Sequence, residues 1–127
     1  MDILLDTHAV IWFFEDDNRL SKSAVEAIFN LDNMIYVSIA SLWEVGIKFS
    51  TGKLNLNGGI DGFIEAIDKN EFRLLEVSPE HIKKVTELPF IHRDPFDRIL
   101  IAQANVEGMT VMTVDENILK YEVGTIW

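Results

Sequence analysis

MIYVSIASLWEVGIKFSTGK, residues 34–53, changes its period partway along. Met34 to Ser38 is a β-branched and aromatic run without a charge, and it reads as a buried strand. SLWEVGIKFSTGK, residues 41–53, then reads as a helix: Leu42, Val45 and Phe49 recur at spacings of three and four, and Gly52 stands near its end. Whether this alternation of apolar strand and amphipathic helix repeats decides the fold class.

It repeats in both directions. Upstream, Ile3 to Leu5 is a short apolar run ending at Asp6, and Thr7 to Phe14 is an apolar helical segment broken by EDDN. SKSAVEAIFNLDN, residues 21–33, reads as a helix with Ser23 and Glu26 at capping-box spacing and with Val25, Ile28 and Phe29 on one face. Downstream, Gly58 and Gly59 mark a loop before the amphipathic helix IDGFIEAIDKN, and RLLEV, residues 73–77, is a strand. SPEHIKKVTEL offers Ser78 as N-cap and Pro79 at the first helical position. LPFIHRDP is a loop, Phe96 to Glu107 is a helix, and Gly108 ends it. TVMTV, residues 110–114, is a strand that stops at Asp115; a short ENILKY helix and a final GTIW strand follow. Strands that alternate with helices and are apolar throughout predict a parallel sheet covered on both faces. No repeat, linker or low-complexity tract interrupts the pattern, so residues 1–127 read as one α/β domain.

Composition agrees and excludes some functions. The 127 residues are 48% hydrophobic and 25% charged, ordinary for a globular domain with a core of useful size. There is no cysteine, which removes disulfides and thiolate metal sites. The longest apolar run, Ala9 to Phe14, is far short of the roughly 20 residues a membrane span needs. MDILLD lacks a basic region ahead of its apolar residues, so no secretory signal and a cytoplasmic location are expected. Twenty-one Asp and Glu against eleven Lys and Arg leave a net charge of −10, which opposes non-specific attraction to nucleic acid phosphates. It suits a basic protein partner, a bound cation, or simply solubility.

Sites in parallel α/β sheets lie in the crevice at the carboxyl ends of the strands. Asp6 and Asp115 each follow a strand directly. Asp97 stands in the first turn of the helix before the Asp115 strand, and Glu44 near the start of the helix after the second strand. Four acids from distant segments are therefore expected to converge. Carboxylates at close range raise one another's pKa unless a cation neutralises them. Hard oxygen donors without thiolates select Mg²⁺ or Mn²⁺ over zinc, and such a site suits phosphoryl transfer with a metal-activated water.

LLDTHAVIW, SLWEVGIK, HRDPFDRILIAQA and TVD, taken in this order over essentially the whole chain, resemble the PIN-domain family, in particular its VapC-type ribonuclease toxins. The resemblance implies a three-layer α/β/α sandwich around a parallel sheet, endoribonuclease activity that depends on Mg²⁺ with Mn²⁺ able to substitute, a cognate antitoxin protein, and homodimerisation. It makes Asp6, Glu44, Asp97 and Asp115 the catalytic and metal-binding quartet, with RNA as substrate. Thr7 and Thr113 would be supporting hydroxyls near the metal.

Plainer roles compete for several of these residues. Asp94 is a good N-cap ahead of Pro95, and the quartet does not need it. Ser41 and Glu44 have capping-box spacing, and Asp115 could cap the ENILKY helix. His8 and His92 suit structural hydrogen bonds or phosphate contacts, since two-metal hydrolysis requires no histidine base. Trp12, Phe13, Phe14, Trp43 and Phe49 read mostly as core, otherwise as an apolar surface for a second copy or the antitoxin. Lys48, Lys53, Arg93 and Arg98 are candidates for phosphate contact.

Three other functions compare with part of the pattern. A phosphatase using Asp6 as nucleophile would typically place a second Asp two residues on, where this chain has His8. A receiver-type phosphoacceptor would need an Asp at the end of MIYVS or RLLEV, which is absent. A non-catalytic module could instead receive a basic segment of a partner in the acidic crevice. Metal-dependent RNA cleavage separates the nuclease from the module. The acidic net charge does not exclude RNA, because bound cations present positive charge locally.

Overall fold

In the computed structural model, which describes residues 1–127, the expected alternation is present. β1 (Asp2–Leu5), β2 (Met34–Ser38), β3 (Arg73–Leu75), β4 (Thr110–Met112) and β5 (Thr125–Ile126) form one sheet in the order β3-β2-β1-β4-β5. Every neighbouring pair is parallel. Six helices connect and cover the strands: α1 (Thr7–Phe14), α2 (Lys22–Phe29), α3 (Ile39–Ser50), α4 (Gly59–Lys69), α5 (Pro79–Glu87) and α6 (Pro95–Glu107).

The alternation of side chains along a strand divides the core in two. Ile3, Leu5, Ile35, Val37 and Met112 join Val10, Ile28, Phe63 and Ile67 of α1, α2 and α4 in the larger cluster. On the opposite face Leu4 and Val111 pack against Leu100 and Ala104 of α6. These are the layers of an α/β/α sandwich.

The strand order has a functional consequence. From β1 the chain builds outward through β2 and β3, then returns to add β4 on the other side of β1. The carboxyl ends of β1 and β4 therefore flank a topological switch point, where connections leave in opposite directions and open a crevice.

Several boundaries differ from the sequence reading, each for a local reason. β3 stops at Leu75, opposite the last residue of β2, and β4 stops at Met112, opposite the last residue of β1, because a ladder ends with its partner. The cap of α2 is Ser21, whose side chain accepts from the Ala24 N–H, rather than Ser23. Phe29, assigned to the packed face of that helix, is 65% exposed at its last residue. α3 starts at Ile39, earlier than expected, because Ser38 ends the strand and caps the helix at once, accepting from the Ala40 N–H. Ser41 is thus inside the helix and forms no capping box with Glu44. ENILKY contributes only a 3-10 turn, Ile118–Lys120. Gly108 ends α6 at φ 69°, a left-handed conformation that glycine adopts without steric cost.

Candidate active site at the switch point

Asp6 leaves β1 and caps α1 in the same step. Its Oδ1 accepts from the Ala9 N–H at 2.7 Å, and the residue is only 4% exposed. Burial raises its pKa above the ordinary carboxylate value, opposed by the Thr113 hydroxyl and the Ala9 N–H and reinforced by the negative charge of Asp115. One oxygen of Asp6 meets the needs of a helix terminus, yet the carboxylate still sits in an environment that disfavours its charge.

Asp97 lies in the first turn of α6. Burial pushes its pKa up to about 6, the His92 ring opposes the shift, and the charges of Asp94 and Asp115 add to it. Asp115 follows β4 and binds the Asn117 and Ile118 N–H groups through Oδ1, so it caps the 3-10 turn while adding its charge to both other acids. Thr113 links the elements: its Oγ1 accepts from the Asp115 N–H at 3.0 Å, and its hydroxyl neighbours Asp6.

The structure thus brings Asp6 and Asp97 each within electrostatic reach of Asp115. Glu44 is placed differently. It pairs with Lys48 one turn along α3, at 3.5 Å, and contributes to neither pKa shift. The Thr7 hydroxyl donates to Ser41 Oγ at 3.1 Å, tying α1 to α3. Asp94 caps α6, its Oδ1 accepting from the Phe96 and Asp97 N–H groups. That bond aims Asp97 as well, since it fixes the helix entrance.

Other candidates divide. Arg98 is not available to a phosphate: it is 4% exposed, and its guanidinium donates to the carbonyls of Pro89 and Val85 and to the Tyr121 hydroxyl. Lys53 and Arg93 are exposed. His8 is exposed, its ring 5.5 Å from that of Trp12. Trp12, Phe13 and Phe14 pack on the main core as expected, but Trp43 is 65% exposed. Trp43 sits one residue along from the inward-facing Leu42, about 100° around the helix, and its ring meets the edge of Phe96. With Ile39, Val77, Ile82 and Phe90 it lines an apolar groove of about 720 Å³ between α3, α5 and the start of α6.

A hydrogen-bonded chain that is not legible in the sequence runs from Arg98 through Tyr121 and His92 to Asp97. Its members lie up to 29 residues apart, so no local spacing reveals them.

The donors suit a hard divalent cation. Three carboxylates come from separate segments, two are held above their ordinary pKa, and Thr113 adds a hydroxyl oxygen. A cation would offset the mutual repulsion. As the side chains lie, no three acid or histidine groups are close enough together to hold one ion, so a cation would have to draw them in.

Comparison with known proteins follows the same lines. A model described as PIN domain matches residues 3–124. Ribonuclease VapC22 of Mycobacterium tuberculosis is 25% identical over 117 residues, covering 91% of this chain and 88% of the relative. Among solved structures, VapBC2 from Rickettsia felis bound to a promoter DNA fragment superposes with a TM-score of 0.78 at 17% identity, covering 100% of this chain and 99% of that one. FitAcB from Neisseria gonorrhoeae gives 0.71 at 19% identity, covering 98% and 96%. At these identities the solved structures establish a shared fold. No helix is long and apolar enough to cross a membrane.

Proposed function

The chain belongs to the PIN domain family, and from that premise we propose that it is a metal-dependent endoribonuclease, the toxin of a toxin–antitoxin pair, acting in the cytoplasm. The observation that supports this reading is that Asp6 and Asp97 are both raised in pKa by burial and by the charge of Asp115, which follows the strand beside that of Asp6. The ribonuclease name of the 25% identical relative points to RNA as the substrate.

Asp6, Asp97 and Asp115 would hold Mg²⁺ or Mn²⁺, with Glu44 joining them on release from Lys48. When bound, the cation supplies activation of the attacking water and stabilisation of charge on the leaving oxygen. The rest is done by the chain. The Ala9 N–H and the Thr113 hydroxyl hold Asp6, the Asn117 and Ile118 N–H groups hold Asp115, and the Asp94 cap and His92 hold Asp97. These bonds restrain each carboxylate at its own element, and a bound cation would draw the restrained groups together. Asp6 as a phosphate-accepting nucleophile is disfavoured, because one oxygen is committed to the α1 cap and His8, two residues on, is exposed.

Two protein surfaces belong to the proposal. The crevice is acidic on a chain of net charge −10, so an antitoxin Arg or Lys reaching Asp6 and Asp97 would pair with carboxylates and compete with the metal. A second copy of the chain would cover the groove containing Trp43 and Phe90, which are 65% and 84% exposed, giving a homodimer. The test is RNA cleavage by the purified chain. Activity should require Mg²⁺ or Mn²⁺, disappear in excess EDTA, and be absent from Asp6→Asn. Equal cleavage in EDTA would overturn the reading, and binding of a basic partner without any cleavage would favour a non-catalytic module.

A further inference from the structure

We infer that His92 is a positioning residue for the acidic site: Tyr121 locks its ring in one tautomer, and the ring in turn fixes the Asp97 carboxylate. The inference rests on the nuclease reading and assigns a role to a residue outside its quartet. His92 lies in the loop between α5 and α6, with its side chain 13% exposed. Its Nδ1 is 2.9 Å from the Tyr121 hydroxyl, and its Nε2 is 2.9 Å from Asp97 Oδ2.

The donors around the phenol decide the tautomer. Tyr121 Oη accepts from Arg98 Nη1 at 3.0 Å and from the His92 backbone N–H at 3.3 Å. Those two bonds occupy both lone pairs of the hydroxyl. Its own proton must then go to His92 Nδ1, which has to be unprotonated to receive it. A proton on Nδ1 would set three donors against two lone pairs and leave the phenol proton without a partner. The ring hydrogen is therefore on Nε2, where it donates to Asp97.

The far end of the relay is anchored. Arg98 is anchored by the Pro89 carbonyl at 2.8 Å and the Val85 carbonyl at 3.3 Å, with its guanidinium over the Phe90 ring. Tyr121 is 5% exposed and follows the 3-10 turn that Asp115 caps. The relay thus ties the Asp115 segment to the entrance of α6. Supporting donors of this kind set the orientation of a ligating carboxylate, and their loss typically costs 10- to 100-fold in metal affinity or activity.

Long-range ¹H–¹⁵N NMR of the metal-free protein reads the tautomer directly, and the Nε2–H form is expected; the Nδ1–H form would overturn the inference. Calorimetric Mn²⁺ titration and single-turnover RNA cleavage then compare the parent with variants. His92→Leu should weaken Mn²⁺ binding by about 10-fold or more and lower kcat, with little change in the KM for RNA. His92→Gln, which keeps a donor toward Asp97, should recover most of both. Tyr121→Phe should fall between them. If His92→Leu loses thermal stability but binds Mn²⁺ and cleaves as the parent does, the residue is a loop staple and the inference fails alone. A parent that neither binds Mn²⁺ nor cleaves RNA overturns the nuclease reading and the inference with it.

Discussion

Asp97→Asn should make the metal-free protein more stable while removing its activity. In the folded chain the Asp97 pKa is about 6 against an ordinary 3.8, a difference of about two units. At about 1.36 kcal/mol per unit, ionised Asp97 costs the folded state at most about 3 kcal/mol at neutral pH. Two features reduce this: the side chain is 21% exposed and partly screened by water, and asparagine gives up the charged hydrogen bond from His92. About 1–2 kcal/mol of net stabilisation remains, roughly 3–8 °C in Tm for a domain of this size.

The pH dependence identifies the cause. A carboxyl with a raised folded pKa lets the folded state keep its proton after the unfolded state has lost one. Its contribution to stability is complete below about pH 3.8 and is lost as pH rises to 6 and beyond. The advantage of Asp97→Asn should therefore be near zero at pH 3.5, grow between pH 4 and 6, and level off above pH 7. Thermal melts of both proteins in EDTA across that range measure it. A variant less stable than the parent at pH 8, or a difference that does not change with pH, would refute the electrostatic account of this residue.

Saturating Mg²⁺ should close that gap, because a ligand at 100 times its Kd stabilises the parent by about 2.7 kcal/mol and the variant by less; melts that do not respond to Mg²⁺ would contradict it. Asp94→Ala should cost about 1 kcal/mol in urea unfolding through loss of the α6 cap, whereas Asp94→Asn should stay within a few tenths and show no special pH dependence. Arg98→Met should cost about 3 kcal/mol, since it strips donors from two carbonyls and a buried hydroxyl. A variant of unchanged stability that only bound RNA more weakly would return Arg98 to the phosphate-binding role.

The parts of the molecule visible in the sequence are those set by neighbours along the chain. Strands buried on both faces must be apolar throughout, which exposes β1, β2 and β4; Asp6 and Asp115 stand out because each ends such a run. Ser78-Pro79 and Asp94-Pro95 mark helix starts correctly, because a cap bonds to amides two or three residues away. Ser21 and Ser23 could each have served as a cap, and the choice between them depends on where the preceding loop delivers the chain. Trp43 looks like core by composition, but its angle around α3 turns it outward. Arg98 looks like a phosphate ligand by charge, and is buried because carbonyls nine and thirteen residues upstream converge on it. Glu44 is legible as an acid on the correct helix, but its pairing with Lys48 depends on the rotamers both side chains adopt.

Anomalous diffraction from crystals grown with saturating Mn²⁺ tests the central claim most directly. The account predicts a peak at the carboxyl ends of β1 and β4, ligated by Asp6, Asp97 and Asp115, and the same crystals show whether Glu44 has left Lys48 to join them. The peak should vanish in Asp6→Asn together with RNA cleavage. Protein that cleaves RNA with no metal in that crevice, or that binds Mn²⁺ elsewhere with Asp6→Asn fully active, would contradict it.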